Sequence, residues 1–442
     1  MRSALQNLWK EHRLATFAGF AGVLAVAVAV AGYLILKRPE DKSCPDPCVI
    51  ETTANSEPVV KSANWPLYGL NEERTRYLDA PRVKPPYTTK WTFKGRRLLE
   101  YSPILVNNAL YAVNNNGLAF SVKKSTGKAR WYREIATRNA SAPAYSDAML
   151  YISNLEPGQV IALRTRDGSL AWKRPLPGRS ESSPVVVGNL VIAGCECGTL
   201  YAFNKKTGKM LWDTDLGGEL KAAPAVSNGV AYIGDYSGTM SAVRINDGSV
   251  KWQSDSQGTG VTAGDFYGTA AVAFGRVYAG SKDGRIYSFN RDTGEVAWSQ
   301  TIGGEVYAGA VAADTPNTPP SVYFGSYGGS TFYALDARDG SVRWSADSGG
   351  SVIGAASLIG ETVYVANLDN TQTYAFNAAN GEKVWSFKDG AYNPVISDGV
   401  RLYLTGYKTL YALKPTTAAD VKRKAKRAEA KKKAGGKGGK KG

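Results

Sequence analysis

Short apolar and aromatic runs, separated by glycine-containing turns, recur along most of this 442-residue chain. Residues 277–280 form one such run (VYAG), residues 281–284 a turn (SKDG) and residues 285–289 a second run (RIYSF). β-Branched and aromatic residues suit a half-buried pleated surface, and an Asp-Gly step supplies the positive φ of a tight hairpin. Because the runs lack a 3.6-residue apolar rhythm, the pattern predicts antiparallel hairpins rather than helices.

A glycine precedes a tryptophan by four residues at seven places. The pairs are Gly127/Trp131, Gly168/Trp172, Gly208/Trp212, Gly248/Trp252, Gly294/Trp298, Gly340/Trp344 and Gly381/Trp385. Successive tryptophans lie 41, 40, 40, 46, 46 and 41 residues apart, which is the period of a four-stranded propeller blade. The repeat therefore predicts a β-propeller in which the last strand of each blade carries the tryptophan.

The two ends of the array decide the number of blades. An eighth hairpin begins at Arg401, but no Gly/Trp strand follows it. Residues 88–93 contain Trp91, which stands 40 residues before Trp131. Pairing this early strand with the last hairpin would close the ring and remove the open sheet edges. We therefore expect an all-β fold, an eight-bladed propeller closed by an N-terminal strand.

Eight tryptophans occupy the repeat position or its counterpart in the closing strand, and we expect them to pack one blade against the next. They are Trp91, Trp131, Trp172, Trp212, Trp252, Trp298, Trp344 and Trp385.

The regions outside the repeats predict four further segments. Residues 15–36 carry no charge and end at Lys37, which is long enough for a transmembrane helix. We expect an uncleaved signal anchor there, behind a cytoplasmic N-terminus of residues 1–14; a cleaved signal peptide is the alternative, because residues 29–31 (AVA) resemble a cleavage site. Residues 37–63 predict a proline-rich linker, residues 64–415 the propeller, and residues 416–442 a disordered Lys/Gly-rich tail.

Most of the net charge of +16 lies in that tail. Residues 418–442 contain 11 Lys and Arg side chains against two acidic ones, a net charge of +9. We expect the tail either to be a solvated segment or to bind anionic lipids or acidic envelope polymers, whereas nucleic acid is not expected outside the cytoplasm. Its candidate contact residues are Lys422, Arg423, Lys424, Lys426, Arg427, Lys431, Lys432 and Lys433.

The four cysteines allow three disulfide pairings. The simplest interpretation is two local bridges, Cys44 with Cys48 and Cys195 with Cys197, in an oxidising compartment. A redox-active pair at Cys195 and Cys197 is the alternative. A metal site is not expected around Cys44, because that region contains no histidine.

Candidate catalytic residues are scarce. The sole histidine, His12, precedes the apolar segment, so the repeats hold no Ser/His/Asp triad and no histidine metal cluster. Acidic residues are scattered through the blades, mostly at turn positions where they can bond nearby backbone amides. They are Asp235, Asp255, Asp265, Asp283, Glu305 and Asp369. The residues alone therefore predict no catalytic, cofactor-binding or metal-binding site, and residues 312–320 predict a proline-rich loop.

The repeat resembles that of the pyrroloquinoline-quinone (PQQ) family, and residues 333–344 (YALDARDGSVRW) come close to its consensus. Residues 64–69 (NWPLYG) and 75–77 (TRY) resemble the segment that introduces such propellers. The family contains quinoprotein dehydrogenases and non-catalytic scaffolds such as the propeller lipoprotein of outer-membrane assembly. The resemblance implies an eight-bladed ring outside the cytoplasm.

The dehydrogenases of this family use a disulfide between adjacent cysteines, a Ca²⁺ ion held by Glu, Asn and Asp, and a base aspartate. This chain has no adjacent cysteine pair, and its blades leave little material for a lid. We therefore expect a cofactor-free scaffold or sensor, anchored in the cell membrane by a single pass, that binds an envelope protein or polymer. The alternative is a PQQ-dependent dehydrogenase with an atypical site for PQQ and Ca²⁺.

Overall fold

A computed structural model describes residues 63–257, 264–417 and 420 of this chain. The predicted anchor, most of the predicted linker with Cys44 and Cys48, and tail residues 422–433 lie outside this range. Within it, no helix is long and apolar enough to cross a membrane.

The described residues form strands arranged as eight sheets, which we call blades I to VIII; seven have four strands, and that of blade VII gains a fifth from the N-terminal part of the chain. Two strands precede the first blade: β1 (Tyr77–Leu78) and β2 (Tyr87–Lys94). Blades I and II are β3 (Ile104–Val106), β4 (Ala109–Val113), β5 (Leu118–Lys123), β6 (Ala129–Glu134), β7 (Ala144–Ser146), β8 (Met149–Asn154), β9 (Gln159–Arg164) and β10 (Leu170–Pro175). Blades III and IV are β11 (Val185–Val187), β12 (Leu190–Gly194), β13 (Thr199–Asn204), β14 (Met210–Asp215), β15 (Ala225–Ser227), β16 (Val230–Gly234), β17 (Thr239–Arg244) and β18 (Val250–Asp255).

The second half of the ring continues the same order. Blades V and VI are β19 (Ala271–Ala273), β20 (Arg276–Gly280), β21 (Arg285–Asn290), β22 (Val296–Thr301), β23 (Val311–Thr315), β24 (Thr318–Gly325), β25 (Thr331–Asp336) and β26 (Val342–Asp347). Blades VII and VIII contain β27 (Ser357–Ile359), β28 (Thr362–Asn367), β29 (Gln372–Asn377), β30 (Lys383–Phe387), β31 (Val395–Ser397), β32 (Leu402–Thr405) and β33 (Thr409–Pro415).

Each blade runs antiparallel from a short inner strand to a solvent-facing outer strand. In blade III, for example, the inner strand pairs with β12, β12 with β13, and β13 with β14. The middle strands are almost wholly buried, whereas along β14 the indole of Trp212 is the buried side chain. The apolar core therefore lies between neighbouring blades, and the inner strands of adjacent blades meet around a central channel.

Strand β2 closes the ring, which confirms the predicted eight-bladed propeller. It pairs antiparallel with β33 and supplies the outer strand of blade VIII, with Trp91 opposite Ala412. The N-terminal strand and the C-terminal strands of the propeller thus share one sheet. The predicted loop at residues 312–320 is wrong, because β23 and β24 continue through it as a longer hairpin in which Thr315 pairs with Thr318.

The segment that leads into the propeller, residues 63–80, runs through the central channel; we call it the lead-in segment. Its backbone carbonyls accept hydrogen bonds from inner-strand amides of successive blades. These bonds are Tyr145 N to Pro66 O (2.8 Å), Val226 N to Glu72 O (2.8 Å), Val272 N to Glu73 O (2.9 Å), Ala312 N to Thr75 O (3.1 Å) and Leu358 N to Arg76 O (3.0 Å). The lead-in segment therefore supplies hydrogen-bond acceptors to backbone amides on the inner edges of the blades, which the ring alone would leave unpaired.

The antiparallel order gives the ring two distinct faces. The connection face carries the links between blades, such as residues 216–224, and the hairpins between second and third strands, such as residues 195–198. The terminal face carries the turns between third and fourth strands. Ala63 donates to Asp398 O and Thr416 to Pro86 O at this second face, so the described chain enters and leaves the propeller there.

Candidate functional site

The repeated tryptophans lie between blades. In seven cases the indole Nε1 donates to a backbone carbonyl of the next blade at 2.9–3.1 Å, as Trp252 does to Arg291 O. The repeat glycine of that next blade has a φ of 68–80° and lies directly against the ring. Trp385 faces the closing seam, where its ring stands 5.2 Å from that of Tyr87. This geometry makes the tryptophans structural contacts.

Cys195 and Cys197 form a disulfide across the hairpin between β12 and β13, on the connection face. Their Cα atoms lie 5.0 Å apart, and Cys195 is fully buried. The structure thus includes one of the two local bridges that the sequence suggested. The other pair lies outside the described residues.

A pocket opens at the centre of the connection face, above the lead-in segment. Five tyrosines line it, one from the lead-in segment and four from links that are distant in sequence: Tyr68, Tyr101, Tyr267, Tyr307 and Tyr392. Glu100, Lys221 and Asn393 add polar groups. Sequence reasoning missed these residues, although a tyrosine three or four positions before an inner strand, as at 101, 267, 307 and 392, is a recognisable signal.

Two carboxyl groups near the pocket are held in an environment that disfavours their charge. Burial, together with the nearby carboxylate of Glu181, raises the pKa of Glu100 to about 7. Burial also raises the pKa of Glu181, which accepts a 3.2 Å hydrogen bond from the Tyr267 hydroxyl. Perturbed carboxyl groups in a cleft mark a candidate functional site.

Two arginines of the lead-in segment lie beneath the pocket. Arg74 is fully buried and donates to the backbone carbonyls of Tyr68, Ser183, Pro184 and Pro224. Burial, reinforced by the charge of Arg76, lowers the pKa of Arg74 to about 9, so its guanidinium remains charged at neutral pH. These bonds tie the lead-in segment to blades III and IV.

Arg76 is also buried, and its guanidinium stacks 3.9 Å from the centre of the Tyr68 ring. Its Nε and Nη2 atoms have no hydrogen-bond partner among the described residues. The sequence pointed to Arg76 only as part of the introductory motif, since its burial depends on the closed ring around it.

An aromatic series extends from the pocket across the connection face. The ring centroids of Tyr236 and Tyr267 lie 6.0 Å apart, those of Tyr267 and Tyr307 5.4 Å, and those of Tyr307 and Tyr327 5.1 Å. The Lys221 ammonium lies 4.5 Å above the Tyr236 ring. We call Tyr236, Tyr267, Tyr307 and Tyr327 the tyrosine rim.

Backbone hydrogen bonds hold the rim in place. Tyr236 N donates to Glu219 O at 3.1 Å, and Tyr327 N donates to Glu305 O at 2.7 Å. Each bond joins a hairpin of one blade to the link that precedes that blade. The rim is therefore a preorganised aromatic surface with 38% of Tyr327 exposed.

The acidic residues considered for catalysis serve as local hydrogen-bond acceptors or ion-pair partners: Asp265 pairs with Lys282 at 2.7 Å, and Asp369 accepts from the Ser351 amide at 2.8 Å. Asp235 accepts from the amides of Ser237 and Thr239, and Asp283 from that of Arg285. No group of three or more His, Cys, Asp or Glu residues in the described part of the chain could hold a metal ion.

Comparison with known proteins identifies the family. The family model described as outer membrane protein assembly factor BamB matches residues 88–198, 196–323 and 320–432. The protein of that name from Escherichia coli (strain K12) is 29% identical over 137 residues, which cover 27% of this chain and 35% of the relative. Its counterpart from Salmonella typhimurium is 28% identical over 137 residues, with the same coverage. The match thus spans about a third of these relatives.

Solved structures share the fold at low sequence identity. The structure of BamB from Moraxella catarrhalis has a TM-score of 0.61 and 18% identity, covering 75% of this chain and 98% of its own. A europium-containing methanol dehydrogenase has a TM-score of 0.67 and 14% identity, covering 80% and 98%. Because a BamB and a methanol dehydrogenase share this ring, the fold alone does not distinguish a non-catalytic protein from an enzyme. The family model covers more than half of the sequence, and the chain therefore belongs to the PQQ-repeat propeller family described as outer membrane protein assembly factor BamB.

Proposed function

We propose that this protein is a non-catalytic scaffold of the cell envelope that binds another envelope protein through the tyrosine rim. The observation that carries the proposal is the continuous contact of four tyrosines around the central pocket. Tyrosine is enriched in protein interfaces because it combines a large apolar area with a polar tip and few rotatable bonds. Membership of the BamB family supports the same function.

The rigidity of the rim favours this function. Its hairpins are bonded to the inter-blade links, so little conformational entropy is lost when a partner binds. Lys221 and Lys282 lie over rim rings, at 4.5 and 5.4 Å from that of Tyr236. Each is paired with a carboxylate, Lys221 with Glu219 at 3.6 Å and Lys282 with Asp265 at 2.7 Å, so the surface beside the rings is polar but nearly neutral. The rim thus suits a partner that presents apolar and hydrogen-bonding groups.

We propose further that residues 15–36 anchor the chain in a membrane and that the propeller lies outside the cytoplasm. The uninterrupted apolar run and the envelope association in the relatives' name support this arrangement. In the same scheme the basic tail contacts anionic lipids or polymers. Fusion of a periplasm-active reporter to either end of the full chain tests the orientation.

Photocrosslinking tests the partner-binding surface in living cells. Replacement of Tyr327 with p-benzoylphenylalanine is expected to yield a discrete crosslinked protein band. Tyr132, which is equally exposed at 38% but lies on the outer strand of blade I, is the matched control position. Equal crosslinking at both positions, or a Tyr327 adduct that survives Tyr236→Ala and Tyr307→Ala unchanged, contradicts the proposal.

A PQQ-dependent dehydrogenase is the alternative, and it differs in its response to cofactor. A ligand that binds the folded state stabilises it by about 2.7 kcal/mol at a hundredfold excess over its dissociation constant. We expect no shift in the melting temperature of the full chain on addition of PQQ and Ca²⁺. Saturable stabilisation accompanied by dye reduction with an alcohol would support the enzyme instead.

A further inference from the structure

Charge is distributed unevenly around the ring. Residues 87–215, which span the closing strand and blades I to III, contain 18 Lys and Arg against 9 Asp and Glu. Residues 216–417, which hold blade IV to the end of blade VIII, contain 14 against 18. One side of the propeller is therefore strongly basic and the other acidic, although the net charge of the whole ring is modest.

The asymmetry is sharpest at one equivalent position on the terminal face. The residue that follows the repeat glycine is Lys128 in blade I and Lys209 in blade III, whereas it is Glu295 in blade V and Glu382 in blade VII. All four side chains are exposed. These turns occupy equivalent positions of one repeat. The difference in the sign of their charge is therefore not required by the fold and is a property of the surface.

Large aliphatic side chains lie beside this basic surface. Leu170, Met210 and Leu211 are 49%, 49% and 46% exposed at the start of the outer strands of blades II and III. At the positions equivalent to Leu170 and Met210, blades IV and VI carry Val250 and Val342, which are shorter and are 39% and 45% exposed. Exposed aliphatic groups among lysines are typical of segments that lie in a membrane interface.

The remaining chain also leaves from the terminal face. Ala63 and Thr416 bond there to Asp398 and Pro86 respectively. Beyond them lie 62 preceding residues, which include the 22-residue uncharged run, and the strongly basic tail. The segments best suited to a membrane are thus connected to the face on which the basic turns of blades I and III lie.

We propose that the terminal face of blades I to III, which we call the basic arc, docks on the headgroups of an anionic lipid bilayer. Lys128, Lys206 and Lys209 supply the charge, and Leu170 and Met210 enter the interface. Attraction to anionic lipids falls off within a Debye length, so it requires close approach of this face. Docking would hold the acidic blades further from the membrane. This proposal does not depend on the partner-binding function of the tyrosine rim.

Hydrogen–deuterium exchange of the full chain in nanodiscs tests the proposal. Discs of phosphatidylcholine alone are compared with discs that also contain phosphatidylglycerol. We expect amides of residues 205–212 and 124–130 to exchange about threefold or more slowly in the anionic discs. Residues 291–298 of blade V should be unaffected. Salt of about 1 M, which shortens the Debye length to about 3 Å, should abolish the protection.

Two charge-reversal variants show whether the protection in anionic discs comes from the basic arc or from electrostatic attraction of the tail to the lipid. Lys206→Glu with Lys209→Glu should lose the protection. Lys383→Glu with Lys388→Glu makes the same charge change at exposed positions of blade VII and its following link, and should retain it. Both pairs are solvent-exposed, so neither is expected to unfold the ring.

Several outcomes would overturn the proposal. These are the absence of protection in anionic discs, equal protection in neutral discs, and protection that survives Lys206→Glu with Lys209→Glu. Protection by soluble dextran sulfate in neutral discs, without any from anionic lipid, would assign the basic arc to an acidic polymer instead.

Discussion

The repeat glycines show how a single missing side chain sets the spacing between blades. At Gly294 the backbone has a φ of +80°, and an added Cβ would lie 2.6 Å from ring atoms of Trp252. The left-handed conformation and the indole contact each exclude a larger residue. One position thus combines a turn requirement with a packing requirement, which explains why glycine and tryptophan recur together.

We predict that Gly294→Ala lowers the free energy of unfolding by about 2–4 kcal/mol, through backbone strain and overpacking. Chemical denaturation of the full chain measures the loss. Gly303→Ala is the matched control in the same blade, because its Cβ would meet only the Tyr333 hydroxyl at 3.5 Å and its φ is not positive. Equal effects of the two substitutions would contradict the packing account.

Glu100 gives a prediction about pH. Its pKa of about 7 in the folded state exceeds the usual glutamate value of about 4.3. At pH values between these two, the folded state therefore binds more protons than the unfolded state. The extra stability that the protonated Glu100 gives is present at low pH and is lost as pH rises through 7. Glu100→Gln should be more stable than the wild type by about 2–3 kcal/mol at pH 8 and nearly equal at pH 4.

Denaturant titrations at both pH values measure this difference. Glu382→Gln, at an exposed turn of blade VII, is the control and should leave the pH dependence unchanged. A Glu100→Gln variant that follows the wild-type pH profile would show that Glu100 is not the group responsible.

The lead-in segment is the element that connects the blades around the channel. It lacks an extended sheet of its own and contributes carbonyls to the inner strands of blades I, II and IV to VII. β1 adds a parallel pairing with β27. The buried guanidinium of Arg74 extends these contacts to four further carbonyls. The element is therefore stabilised by the ring and in turn stabilises it.

We predict that Arg74→Met lowers the free energy of unfolding by about 3–5 kcal/mol, because several buried carbonyls lose their donor. Thermal and chemical denaturation provide the measurement. Arg82→Met, an exposed arginine just beyond the same segment, should change stability by less than about 0.5 kcal/mol. If Arg74→Met leaves the free energy of unfolding unchanged, water replaces the guanidinium as the hydrogen-bond donor to these carbonyls.

The closed ring makes distant parts of the chain depend on one another. β2 belongs to blade VIII through its pairing with β33, yet Trp91 on β2 packs against Gly127 and donates to Lys124 O of blade I at 2.9 Å. One side chain therefore joins the first blade to the last. Loss of this contact should affect both blades together, because the indole packs against blade I while its own strand belongs to blade VIII.

We predict that Trp91→Ala destabilises the propeller by about 2–4 kcal/mol, since the indole is only partly exposed and leaves a cavity. Native-state hydrogen exchange should show reduced protection in blades I and VIII at the same time. Trp212→Ala, which removes the equivalent indole between blades III and IV, is the control and should lower protection in those two blades instead. Loss confined to blade VIII would argue against coupling through the seam.

Local repetition was sufficient to predict the architecture. The Gly-x-x-x-Trp spacing defines the turn and the outer strand within a few residues, and seven copies at a blade-like period predict the ring. The closing role of Trp91 followed from the same spacing. The loop expected at residues 312–320 was wrong, because a two-residue turn at Pro316 and Asn317 lets the flanking strands extend.

The central pocket, the burial of Arg74 and Arg76, and the shared face of the basic turns depend on contacts between segments far apart in sequence. Tyr68 and Asn393, for example, are joined by a hydrogen bond across 325 residues. No local pattern encodes such a distance, since it depends on how many blades close the ring and which face each link occupies. Blades follow from short-range chemistry in the chain, whereas the candidate sites arise only when ring closure brings their residues together.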